Sequence, residues 1–336
     1  MLNLFESELD SESCYLLRIT QSDQLIKRFF RVLILLPSFL CLDAAFVALG
    51  WSRFLAFDSV GVSEPVPIAP TEWGLTIRET ALFLSVWVIY LFDRLYDTRR
   101  HSWSGANLAD SSPFSTSSDS GFPLRHQFAI RHSKWLLMLF LVGVLLLGLL
   151  SPQLEGSDWL LGLWVGVGVF GYFILFRFAK QLRGTQGLVS HFPAKETALA
   201  VFFTFGVLGA AERFEGSPHP WIETFLIGAA FALLVLSDCL LIAYAERKFD
   251  RDHDTASYFS RRKSPGMRIV FSLLAIVLLI SVSLATLFGE STTGLILAGS
   301  ATGLILVHLS SLPSRYRQPV FDAILLLPWI PLLFFS

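Results

Sequence analysis

The chain is poor in charge. Of its 336 residues, 16% are Asp, Glu, Lys or Arg, where a soluble domain carries about a quarter. Neither sign dominates. The 26 Lys and Arg stand against 27 Asp and Glu, a formal net charge of −1, so nothing draws the chain to polyanions, and a nucleic-acid binder is excluded. Cysteine is scarce as well. Cys14, Cys41 and Cys239 are too few and too scattered for a disulfide framework or a Cys-rich zinc site, and the last two lie inside apolar runs as small core residues. The HExxH zinc helix, the GxSxG nucleophile elbow, the GxxxxGK phosphate loop and the DG-AR signature of lipid-head-group transferases do not occur. A cleavable leader is not expected, because residues 1–26 are polar and acid-rich rather than basic and then apolar.

Apolar residues are what the chain has in excess. Hydrophobic residues make up 53% and aromatics 14%, with 31 Phe and 9 Trp, and the mean hydropathy is +0.59. A folded chain of this size still leaves about a quarter of its unfolded surface in contact with solvent, so this excess cannot all be hidden in one core. An ordinary soluble enzyme and a disordered chain are both excluded. The composition is that of an integral membrane protein.

A membrane-spanning helix needs about 20 mostly apolar residues. Nine runs come close to this: roughly 29–50, 75–96, 135–150, 159–180, 195–212, 221–246, 267–288, 293–312 and 320–335. Runs such as LLMLFLVGVLLLGLL (136–150) lack the period-two alternation of a barrel strand. The expected fold is therefore all-α, a polytopic bundle of about nine transmembrane helices. A segment 1–28 precedes a single transmembrane domain, 29–336. The Ser, Gly and Pro-rich stretch 102–123 reads as a flexible loop, and 52–74 as a loop on the outer face. If alternate loops are assigned to alternate sides, all 26 basic residues but Arg53, Arg78 and Arg213 fall on the side of the N-terminus. The positive-inside rule makes that side the cytoplasm, and the inner membrane of a bacterium is the expected setting.

A few acids need a reason. Asp93 and Asp97 end the second run (DRLYD), four residues apart and so on one helix face. Glu246, Asp250 and Asp254 end the sixth (AERKFDRDHD) with the same spacing, a stripe of about 12 Å if the helix continues. Like charges so spaced weaken a helix, and the C-terminal helix dipole disfavours them further. Such a double stripe suits a hard divalent cation such as magnesium, which takes one or two carboxylates together with water and phosphate oxygens. Mixtures of Asp and Arg also serve simply as solvated helix ends. Asp238 lies two turns deeper, inside the apolar run, where an acid costs roughly 2.5–3.5 kcal/mol and usually faces a cavity or partner. Asp43 is a weaker case of the same kind. His101, His126 and His132 read as solvated, and His308 as a packing residue near the end of the eighth run.

Two acidic stripes at the cytoplasmic ends of the second and sixth of nine helices resemble the UbiA superfamily of intramembrane prenyltransferases. YAERKFDRDHD (244–254) resembles the family's second Asp-rich motif, DxxxD, with Asp250 and Asp254 in its acidic positions. DRLYD (93–97) resembles the later part of the first motif, NDxxDxxxD. Ile89 and Tyr90 stand where its Asn-Asp would fall. HFPAKETALAVFFTFG (191–206) resembles the Pro and Lys region before the fifth helix, which makes Lys195 the diphosphate-binding residue. The resemblance implies a magnesium-dependent enzyme. Asp93, Asp97, Asp250 and Asp254 would hold Mg2+, and Lys195, with Arg99 and Arg183, would neutralise the diphosphate, with Asp238 and Glu246 also among the substrate-binding residues. A prenyl group would pass from its diphosphate to a lipophilic acceptor inside the bilayer. The glycines Gly162, Gly166, Gly168 and Gly171 are expected to let helices approach closely. A non-catalytic relative, or an ion-coupled transporter using the intramembrane acids, is the alternative.

Overall fold

The structure is a computed structural model that describes residues 37–38, 40–59, 75–103, 124–178, 193–211, 221–247, 258–259, 267–312 and 314–335. Among the described residues the chain is entirely helical, with no strand. In chain order the helices are α1 (Asp43–Ser59), α2 (Ile77–Trp103), α3 (Leu124–Arg131), α4 (Ser133–Leu150), α5 (Gly156–Phe178), α6 (Ala194–Ala210) and α7 (Trp221–Ala245). They continue with α8 (Arg268–Leu287), α9 (Ser291–Leu309), α10 (Ser314–Ile324) and α11 (Trp329–Phe335). Helix overlies each of the nine apolar runs in whole or part. Among the described residues, four stretches are long and apolar enough to cross a membrane: Ser133–Gln153, Trp221–Ala245, Arg268–Leu287 and Ser291–Leu309.

Helix α7 is the centre. Ile227, Ala230, Phe231, Leu234 and Leu240 have no exposed surface and Leu241 almost none, and α6, α8, α9 and α10 all pack against α7. Its apolar window is 61% buried, against 11% for that of α4. The two helices are similarly apolar, so hydrophobicity alone does not say which is inside. Trp135, Leu145 and Leu149 of α4, and Trp164 and Phe170 of α5, point outward. An outer face this apolar suits lipid rather than water.

Three boundaries differ from expectation. Residues 37–38 are already helical, and after the break at Cys41 helix α1 starts anew at Asp43, inside the expected span 29–50, and runs on through Ser59 into what reads as loop. Cys41 adopts φ +58, a left-handed backbone that interrupts helix, and Asp43 Oδ1 then accepts the Ala44 N–H (3.0 Å) at the new start. The extension is held by burial of Ala48, Trp51, Phe54 and Leu55, spaced for one helix face. At the second boundary, α2 continues to Trp103, so 102 and 103 are helical rather than loop. Residues 104–123 lie outside the described residues. Third, the last run is not one helix. From Leu325 to Leu327 the amides bond three residues back, to Asp322, Ala323 and Ile324. Pro328 follows, with no N–H to donate and a ring that clashes with the carbonyl four residues earlier, so the chain tightens and restarts as α11.

The arginines that fall outside the positive-inside pattern are neutralised where the structure describes them. Arg53 Nε and Nη2 donate to the two carboxylate oxygens of Glu79 (2.8 and 3.0 Å), and Arg78 Nε lies 2.7 Å from Asp158 Oδ1. The glycines behave unequally. A Cβ on Gly168 would meet the Phe202 ring of α6, whereas Gly162, Gly166 and Gly171 have nothing within 4 Å. The tightest backbone approach is elsewhere. A Cβ on Gly294 of α9 would stand 2.6 Å from the Ser281 carbonyl of α8. The two helices form a hairpin through Gly289 at φ +77, with the Glu290 N–H donating back to Leu284 O (3.1 Å). Gly294→Ala is expected to destabilise the protein by about 1–3 kcal/mol through overpacking. Gly166→Ala, in open space, is expected to be neutral or stabilising by up to about 1 kcal/mol. Unfolding in detergent micelles would compare the two, and equal effects would contradict the close α8–α9 approach.

Candidate functional site

Polar side chains gather in the interior where α1, α2, α6, α7 and α10 face one another. The Tyr90 hydroxyl of α2 is within electrostatic reach of Cys239 of α7, Asp43 of α1, Asp322 of α10 and Asp238 of α7. The Cys239 thiol is in turn within reach of Asp238, Glu196, Asp322 and Lys195. Asp43, Glu196 and Asp238 are each less than a tenth exposed, and so is Gln318, whose amide Nε2 makes a long 3.5 Å contact to Asp322 Oδ2. Burying so many ionisable groups among apolar helices is costly unless they interact with one another. Acids side by side repel one another when ionised, and Lys195 is the cation within reach of Cys239 in this set.

Helix directions follow from residue pairs. Trp87 of α2 donates its indole N–H to Leu40 O (2.9 Å), and Arg53 meets Glu79 at the far end, so α2 is antiparallel to α1. Trp51 of α1 packs on Phe231 of α7 with ring centroids 4.6 Å apart, while Asp43 and Cys239 share the surroundings of Tyr90. Asp43 to Trp51 and Cys239 to Phe231 are both eight residues, in opposite senses. Helix α7 is therefore antiparallel to α1 and parallel to α2. On α2, Tyr90, Asp93 and Asp97 recur at three and four residues, one face of a helix. On α7, Cys239 and Glu246 are seven apart, nearly two turns, and again share a face. Starting from Tyr90 and Cys239 at a common level, Asp97 and Glu246 are each seven residues, about 10 Å, further along parallel helices.

The expected site residues fare differently. Asp93 is half-buried on α2, and Glu246 is half-buried immediately after α7, its N–H still bonded to Ile242 O (2.9 Å). Lys195 is half-buried in the first turn of α6 and Asp238 is buried in mid-α7. Asp97 and Arg99 sit on the last turns of α2 by their backbone, and their side chains lie outside the described set. Arg183, Asp250 and Asp254 lie outside the described residues altogether. Among the described residues, no group of three or more His, Cys, Asp or Glu side chains is arranged to hold a metal ion. His308 packs edge-on against Tyr244 and Phe271 (centroids 5.7 and 5.8 Å), the role expected of it.

Four members of the interior set were not singled out by the pattern of acids: Tyr90, Glu196, Cys239 and Asp322. Two had a visible signal. Asp322 interrupts the last apolar run, and Glu196 stands beside Lys195 at the mouth of the fifth. Tyr90 and Cys239 pass for ordinary apolar-helix residues. Searches of protein-family models, of curated proteins and of solved structures found no match to this chain.

The facing of α2 and α7 is open to test. In a background lacking the native cysteines, Asp97→Cys and Glu246→Cys are expected to cross-link within one chain on treatment with a short bis-maleimide. Asp97→Cys paired with a cysteine at Leu145, on the outward face of α4, should not. Efficient cross-linking of the control alone would reverse the assignment.

Proposed function

We propose that the chain is a magnesium-dependent intramembrane prenyltransferase resembling the UbiA superfamily, spanning the membrane nine times with its N-terminus in the cytoplasm of a bacterium. The observation that carries this reading is the parallel placement of α2 and α7. It sets Asp97 of α2 and Glu246 after α7 each about 10 Å beyond Tyr90 and Cys239 along parallel helices, and Lys195 lies within reach of Cys239. The four apolar stretches support the membrane setting. The oxygen-rich character of the two stripes, each with carboxylates at four-residue spacing, suits a hard cation and its phosphate ligands.

In this reading Asp93, Asp97, Asp250 and Asp254 would hold Mg2+, which would supply positive charge to offset a prenyl diphosphate. Lys195, half-buried and with its charge little screened, binds the phosphate oxygens directly, joined by Arg99 and Arg183. As the allylic C–O bond breaks, its electron pair leaves with the diphosphate, where a fixed ammonium is most effective. A lipophilic acceptor then forms the new bond to the prenyl carbon and gives up a proton. The apolar walls of the bundle keep water from the allylic cation. Tyr90, in place of the acid of the first motif, offers a phenol rather than a carboxylate to this set, so the first stripe binds with two acids.

A second reading draws on the mid-helix acids. Asp43, Asp238 and Asp322, on three different helices, are each within electrostatic reach of Tyr90, and acids inside the bundle are what the ion path of a coupled transporter uses. Two measurements separate the readings. Addition of Mg2+ with a prenyl diphosphate at 100 times its dissociation constant should stabilise the purified protein by about 2.7 kcal/mol. Lys195→Ala and Asp93→Ala should lower prenyl transfer about 10²–10³-fold. No stabilisation, or one unchanged by both substitutions, would exclude the enzyme, and ion-coupled flux in vesicles without product would establish the transporter.

A further inference from the structure

The chain that leaves α7 comes back. Its Tyr258 N–H donates to Glu196 Oε1 in the first turn of α6 at 3.0 Å, a bond closed across 62 residues. Tyr258 is 6% exposed and Phe259 fully buried. A second anchor holds the same dipeptide from the other side. Phe259 packs edge-on against Tyr244 of α7 (5.4 Å), and Tyr244 is itself fixed by His308 of α9 (5.7 Å) and by Arg247 over its ring (4.4 Å). Two buried residues are thus pinned between the start of α6 and the end of α7, next in sequence to Lys195.

We propose that Glu196 is a positioning residue: its carboxylate fixes the returning chain beside Lys195 and so sets the geometry in which the diphosphate is bound. The inference rests on the prenyltransferase reading for its ligand and on the anchor for its mechanism. One of the Glu196 oxygens is committed to a backbone amide, and a second negative charge at the phosphates would repel them. A carboxylate is a stronger acceptor than an amide oxygen for that N–H, yet Gln keeps the shape and an acceptor, whereas Ala leaves the buried amide with no partner.

The test uses the full chain in detergent, with Glu196→Gln, Glu196→Ala and Phe259→Ala. The anchor is read by hydrogen exchange at the Tyr258 amide. Exchange about tenfold faster in Glu196→Ala, and within about threefold of the parent in Glu196→Gln, is expected from loss or retention of one buried bond. Ligand binding is read separately with Mg2+ and inorganic pyrophosphate. Glu196→Ala and Phe259→Ala should each weaken pyrophosphate binding about tenfold, with Glu196→Gln restoring it, while an outward control, Leu145→Ala, changes nothing. Unchanged exchange in Glu196→Ala would overturn the anchor. Faster exchange with unaltered pyrophosphate affinity would overturn the positioning role and leave the prenyltransferase reading intact. Faster exchange in a protein whose parent form does not bind pyrophosphate would instead overturn the prenyltransferase reading, and the positioning role with it.

Discussion

Carboxylates inside an apolar bundle need company, and much of this structure is arranged to provide it. Asp43, Glu196 and Asp238 are nearly inaccessible, on three different helices. Isolated in a low-dielectric interior, each would carry a desolvation cost that a marginally stable protein cannot absorb many times over. They share surroundings with Tyr90, Lys195, Cys239 and Asp322, in which Lys195 offers an opposite charge and Tyr90 and Cys239 offer donors. Helices α1, α2, α6, α7 and α10 border this polar interior, while α4 and α5 present apolar faces outward.

Irregular backbone serves the same end. The left-handed turn at Cys41 lets the chain enter α1 at Asp43, next to the polar interior. The tightening before Pro328 ends α10 just past Asp322, and Trp51 donates its indole N–H to Leu325 O (2.9 Å) within that turn. Trp329 then lies against Gly50, where a Cβ would collide with its indole ring. Each break frees backbone groups, and in each a nearby partner takes them up. That is the condition for non-helical backbone at membrane depth.

The acidic stripes illustrate how far pattern goes in finding a site. Asp93 and Asp97, or Glu246 and Asp250, are recognisable because four-residue spacing maps onto one helix face whatever the fold. The partners that complete the interior carry no such period. Tyr90 and Cys239 are single residues on different helices, and what joins them is the packing of Trp51 on Phe231 and the matching eight-residue offsets that follow from it. Glu196 lies in plain view beside Lys195, but its bond to the Tyr258 amide depends on where a chain 62 residues later returns.

Local and compositional properties were settled by the sequence alone. The excess of apolar residues and their clustering in runs specify helices suited to lipid, because hydrophobicity and the 3.6-residue period act over one segment at a time. The order of helices, the central place of α7 over the equally apolar α4, and the breaks at Cys41 and before Pro328 belong to the tertiary structure. So does the meeting of five helices around Tyr90. These depend on which faces find complementary partners, a property of pairs of segments that no single segment contains.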